Sequence, residues 1–299
     1  MTKRSHPSRR GTSIVLAVVV ALVAASALPD AAERNFLWKA TGRQSAIYLV
    51  GSVHLLSKDY YPLNRALDAA FKDSDLLVEE VDLGAMLEPE SQLRLLTRGM
   101  LPPGQSLDKV VSASTFELMS KKLTELGLPI EPLKQFKPWS LALTLMSLSW
   151  TSAGFDPNLG LDKHFYDLAR ADGRLIQGLE TLEFQISRFD EMPMTQQDRL
   201  LVETLKEMES GMESVTKLAD AWKSGDAATI EKLALEDLRQ EPEMYQRLLV
   251  DRNRNWLPKI EALFNRPGRA LVVVGAAHLV GPDGLLQMLK SKGYTIEQL

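Results

Sequence analysis

Residues Tyr48–Leu56 read YLVGSVHLL and residues Val272–Val280 read VVVGAAHLV, two apolar runs broken by the same Gly-x-x-His. The chain has only four histidines, so the repetition points to His54 and His278 acting together rather than filling unrelated turns. A third apolar run, LLVEEVDL, carries Glu79, Glu80 and Asp82. Strand periodicity puts Glu79 on one face and Glu80 with Asp82 on the other, so at most one set is expected to reach a shared crevice. Two imidazoles and a carboxylate with open coordination positions suit Zn²⁺, Mn²⁺, Co²⁺ or Fe²⁺. Such an ion acidifies water and polarises a carbonyl. The chain has no cysteine, which rules out thiolate ligands and thiol catalysis and leaves nitrogen and oxygen donors.

Arg252 shares an apolar helical row with Tyr245, Leu249, Trp256 and Leu263, and Asn253 borders it. A guanidinium on an inner face needs an acceptor to meet it. Glu180, at the end of RLIQGLE, is either that partner or the first-turn acid of the next helix. Asp162 suits the positive start of the helix LDKHFYDLA. His164, beside Leu161, Phe165 and Leu168, reads as a half-buried structural histidine. No G-x-S-x-G, Walker A, H-E-x-x-H or dinucleotide fingerprint is present.

Strands and helices must bring these residues together. NFLWKA and SAIYLV around TGRQ predict a hairpin. Pro62 suits the first turn of a helix with Leu63, Ala66, Leu67, Ala70 and Phe71 on one stripe, and LLVEEVDL returns as a strand. The middle is mostly helical. Ser114 and Glu117 have capping-box spacing, Phe116, Met119, Leu123 and Leu126 share a face, and Gly127 ends it. PWSLALTLMSLSW predicts a helix buried in the domain. A helix from Thr195 to Trp222 carries Leu201, Leu205, Met208, Met212, Val215, Ala219 and Trp222 as a packing seam. RALVVVG, GLLQMLKSKG and YTIEQL close the chain as strand, helix and strand. The expected fold is α/β, a mixed sheet from the N- and C-terminal parts flanked by helices, with a largely helical middle insertion. Gly51 and Gly275 end their strands by permitting positive φ or close backbone approach. If those strands are neighbours, both histidines face one crevice at the carboxyl edge of the sheet.

The first 27 residues read differently. MTKRSHPSRRGTS is basic, IVLAVVVALVAA is apolar, and Ala25 and Ala27 are small, the order of a secretory signal. The expectation is a signal peptide over 1–27 and a single domain over 28–299, exported to the periplasm or secreted. The alternative is an uncleaved anchor through residues 14–28, the one route to membrane contact. Cleavage removes Lys3, Arg4, Arg9 and Arg10 and takes the formal charge from −4 to −8. An acidic chain without a long basic run argues against a nucleic-acid partner.

These features resemble the TraB/GumN (TraB/PrgY/GumN) family, whose animal relatives include the Tiki metalloproteases. The similar stretches are SAIYLVGSVHLLSKDYYPL, DLLVEEVDL, GLD with GLETLEFQI, DRNRNW and VVVGAAHLVGPDGLLQMLKSKGYTIEQL. The resemblance implies a divalent-metal site of His54, Glu80 and His278, with Glu79 where an apolar residue is common. It implies Arg252 and Asn253 as site-lining residues, and Asp162 and Glu180 as further site residues. Proteolysis is known in the animal branch. The resulting expectation is an exported hydrolase, a peptidase using Mn²⁺, Co²⁺ or Zn²⁺ on a peptide or protein. Arg252 would stabilise an oxyanion or orient a carboxylate, and Asp162 or Glu180 are the candidate general bases. The alternative is a non-catalytic protein that captures a peptide or small signal.

Overall fold

The computed structural model describes residues 34–210 and 212–299. The signal or anchor expected over residues 1–28 lies outside the described residues, as does the Met212 side chain of the expected seam. Six strands form one sheet: β1 (Leu37–Thr41), β2 (Ala46–Ser52), β3 (Leu76–Glu79), β4 (Leu175–Gly178), β5 (Ala270–Gly275) and β6 (Thr295–Gln298). Their order is β4-β3-β5-β2-β1-β6. The strands β4, β3, β5 and β2 run parallel, while β1 is antiparallel to both β2 and β6. The fold is α/β, with a mixed sheet, flanking helices and a helical middle, as the sequence predicts.

The two motif-bearing strands are neighbours. Leu49 pairs with Val272 and Ser52 with Gly275. Every residue of β2 is buried, and so is β5 from Ala270 to Val274. Strands covered on both faces read as continuous apolar runs for this reason. Each fully buried Val or Leu there contributes about 1.5–3 kcal/mol relative to exposure. β2 and β3 are parallel but not adjacent, because β5, which arrives far later in sequence at Ala270, lies between them.

Local capping shifts several expected boundaries. The helix after Pro62 begins at Arg65, because the Asn64 side chain accepts from Ala66 N and fixes the start there. Ser112, not Ser114, caps the helix Ala113–Glu125, accepting from Thr115 N at 3.1 Å. Gly127 ends that region at φ +66°, and Leu126 is exposed rather than on the inner face. The expected Thr195–Trp222 seam spans the helices Met194–Ser210 and Met212–Lys223. Leu201 and Leu205 pack with Met119, Leu123 and Leu145 in a core of the helical middle, whereas Ala219 and Trp222 join the core around the sheet. The helix Pro138–Ser152 buries Trp139, Leu141, Ala142 and Leu145, but Met146 and Leu148 are exposed, so burial covers only its first half. Among the described residues no helix is long and apolar enough to cross a membrane.

Candidate functional site

Each of the four parallel strands releases one polar residue just beyond its carboxyl end: Glu180 after β4, Glu80 after β3, His278 after β5 and His54 after β2. That edge of an open α/β sheet is where ligand crevices form. Sequence distance is cancelled by strand order, and the two Gly-x-x-His motifs meet.

His54 is held by the helix Leu161–Ala171. A Cβ on Gly160 would lie 2.0 Å from the His54 carbonyl oxygen, so only glycine lets the helix start approach this closely. Leu161 N donates to Val53 O at 3.1 Å. Asp162 then accepts from His54 Nδ1 at 2.8 Å through one oxygen and from Ser52 Oγ at 2.9 Å through the other. The Asp162 carboxylate, above all, pushes His54 up to about 9, although solvent at its 61% exposed side chain screens part of that pull.

His278 has opposite surroundings. Asn253, fully buried, donates through Nδ2 to the carbonyls of His278 (3.1 Å) and Asp283 (2.9 Å). Its Oδ1 therefore faces His278 Nδ1, at 2.7 Å. Arg252 Nη1 lies 3.0 Å from His278 Nε2. Because a guanidinium only donates, Nε2 is the acceptor and the ring proton sits on Nδ1, given to Asn253. Burial pushes His278 down to about 3, so it stays neutral.

Arg252 links the strands. It donates to Glu80 Oε2 at 2.5 Å and to Glu180 Oε1 at 2.8 and 3.0 Å, all three groups being buried. Trp256, one helical turn on, donates to Glu180 Oε2 at 2.8 Å. Its ring stacks 4.6 Å from the guanidinium. Glu80 Oε1 accepts from Gly275 N at 2.7 Å and Oε2 also accepts from Gln185 at 3.1 Å. Burial pushes Glu80 up most strongly, but the Arg252 charge together with His278, His54 and the Gly275 N–H outweighs it and holds the carboxyl well below its usual range.

The groups converge at Gly275. A Cβ there would meet Glu80 Oε1 at 3.2 Å, His278 Cδ2 at 3.6 Å and His54 Nε2 at 3.7 Å. With both Nδ1 atoms committed to oxygen partners, each ring leaves Nε2 as its ligating nitrogen, the orientation metal-binding histidines adopt. Two imidazoles and a carboxylate thus fit a divalent cation in kind and orientation. Their spacing is looser: His278 Nε2 and Glu80 Oε1 are 4.0 Å apart, and no three His, Asp or Glu donors among the described residues are already drawn to ligand spacing. An ion held by these three donors would need the His278 Nε2 lone pair that faces Arg252 Nη1 here.

His54, Glu80 and Asp162 line a cavity of about 490 Å³ together with Leu55, Met86 and Pro157. Glu79 lines it as well. This corrects the parity argument: β3 stops at Glu79, so alternation no longer governs which side Glu80 takes. Asp82 is not in the site; it caps the helix Leu83–Leu87 by accepting from Gly84 N at 2.8 Å. Neither Gly51 nor Gly275 has positive φ, and close approach is their reason. His164 packs against Tyr61 and Phe165, the structural role its apolar row predicts. Ser52, Gln185 and Trp256 escaped sequence reading as site residues. Only Trp256 carried a signal, one helical turn from Arg252 on the same inner face.

A family model described as the TraB/PrgY/gumN family matches residues 36–298. The uncharacterized protein YbaP of Escherichia coli (strain K12) is 25% identical over 246 residues, covering 81% of this chain and 87% of YbaP. YbaP of Shigella flexneri matches to the same extent. No solved structure matches. With the paired motifs, the strand acid and the family match spanning the same residues, the chain belongs to the TraB/PrgY/gumN family.

Proposed function

We propose that the chain is an exported metal-dependent hydrolase, a peptidase whose reaction centre is the cluster of His54, Glu80 and His278 around Gly275, with His54 and Glu80 also lining the cavity. The observation that carries this reading is the convergence of His54, Glu80 and His278 from three parallel strands, with each imidazole tied through Nδ1 to an oxygen partner so that its Nε2 faces the others. His54 Nε2, Glu80 Oε1 and His278 Nε2 would hold Mn²⁺, Co²⁺ or Zn²⁺. A divalent cation there supplies Lewis acidity toward a carbonyl and toward water at neutral pH.

The protein's own groups do the positioning. Asp162 fixes the His54 ring and Asn253 the His278 ring, so neither nitrogen pair swaps roles. Asp162 and Glu180 each have both oxygens engaged, with His54 and Ser52 and with Arg252 and Trp256 respectively. They act as positioning residues rather than free bases. Arg252, released from His278, would have Nη1 available for a developing oxyanion. A cation held there would compete with the proton on His54, so its binding would strengthen as pH rises.

A second reading is favoured by one contact. Arg252 already satisfies the His278 lone pair, which suits a crevice that captures a peptide without turnover. Incubating the protein with a peptide library and Mn²⁺, Co²⁺ or Zn²⁺ separates the two, with products read by mass spectrometry. Many cleavages per chain, abolished in the His54→Ala/His278→Ala variant, support the hydrolase. Stoichiometric depletion without products supports capture.

A further inference from the structure

Glu79 has no role in the scheme above, yet it is among the most buried carboxylates of the chain, 2% exposed. Its Oε2 accepts from Leu83 N at 3.3 Å, while Oε1 has no hydrogen-bond partner among the described residues. The other charged residues lining the cavity are balanced. Glu80 has Arg252, Asp162 has His54, and Lys163 has Asp167 at 2.5 Å. Glu79 is the carboxylate of the lining without a cation. A buried carboxylate in that position gains strongly when a ligand brings the missing charge.

The wall beside it is apolar. Leu55, Val81, Leu83 and Met86 line the same cavity, and Leu87 carries the surface out to a rim where it is 51% exposed. An uncompensated carboxylate next to an apolar wall complements one arrangement of ligand chemistry, an ammonium beside a large apolar side chain.

We propose that Glu79 receives the protonated α-amine of a peptide N-terminus, whose large apolar first side chain packs against Leu83 and Met86. The assignment rests on the cavity being the substrate site of the proposed hydrolase, and it makes the reaction an aminopeptidase one. The first peptide carbonyl then lies toward His54 and Glu80. Water oxygen bonds to the carbonyl carbon, the C–N bond breaks, and the leaving nitrogen takes a proton from that water. The products are a free amino acid and a shortened peptide.

Calorimetric titration of the purified protein with leucinamide, N-acetylleucinamide and glycinamide tests this. The wild type is expected to bind leucinamide at least about tenfold more tightly than N-acetylleucinamide, and more tightly than glycinamide. Glu79→Gln should bring the first ratio near one and leave the second. Met86→Ser, on the short helix Leu83–Leu87 that has no fully buried residue, should lower only the second, which keeps the test available if the Glu79 variant fails to fold. Equal binding of free and acetylated leucinamide by the wild type, or an undiminished preference in Glu79→Gln, overturns the proposal. Free-amine preference without any turnover would sink the hydrolase reading and the aminopeptidase step with it, and leave only the recognition of the amine by Glu79 standing.

Discussion

The two Gly-x-x-His turns share a sequence pattern and a strand position, yet they hold their histidines in opposite states. His54 lies at a cavity mouth against a carboxylate and is pushed up to about 9. His278 is buried, faces a neutral amide and a guanidinium, and is pushed down to about 3. The motif therefore fixes where an imidazole goes, while the partner from another element fixes whether it carries a proton. One turn presents a proton-bearing ring to solvent, and the other presents a permanent lone pair.

The strongest way to break this asymmetry is to remove the group that enforces the second turn. Arg252→Met leaves Glu80 and Glu180 buried without their cation and should cost about 3–5 kcal/mol, read by urea unfolding at neutral pH. A loss below about 1 kcal/mol, the range of surface pairs, would show that the cluster does not hold the turn.

The glycines sharpen the comparison next. A Cβ on Gly51 would sit 2.2 Å from Phe36 Cδ1 and 2.5 Å from Cε1, against ring atoms confined in the core. Gly51→Ala should therefore cost about 1–3 kcal/mol or more. Gly275→Ala, with nothing closer than 3.2 Å, should cost less than about 1 kcal/mol. It should still lower metal affinity by crowding the three donors. Equal destabilisation by the two variants would contradict the assigned contacts.

The histidines also give pH dependences of opposite sign. His54 binds its proton more tightly folded than unfolded, so its stability contribution is complete below about 6.5 and is lost as pH rises toward about 9. His278 is disfavoured as a cation when folded, so its contribution is complete above about 6.5 and is lost as pH falls toward about 3. In ¹H–¹⁵N spectra of the metal-free protein, one imidazole should titrate near 9 and the other not above about pH 4. Asp162→Asn should bring only the first back toward 6.5. Two rings titrating together would erase the distinction.

Much of this was legible in the sequence because the relevant signals are local. The apolar runs of β2 and β5, the hairpin around Gly42 and the odd placing of Arg252 on an inner helix face each follow from a few adjacent residues. Less legible was whatever depends on where an element stops. Alternation allowed only one of Glu79 and Glu80 into the crevice, but β3 ends at Glu79 and the rule ends with it. Asp82 shared parity with Glu80 and became a helix cap instead. Partners set by packing, such as Gln185 on Glu80, carry no spacing signal. Nor does Gly160 announce that it admits the His54 carbonyl.

The central claim is that two turns from opposite ends of the chain make one metal centre with Glu80. Mass spectrometry of metals bound to protein purified without chelators, beside the His54→Ala/His278→Ala variant, tests it most directly. The account predicts about one divalent transition-metal ion per wild-type chain, lost in the variant. Equal metal in both proteins, or none in the wild type after reloading with Mn²⁺, Co²⁺ and Zn²⁺, would contradict it.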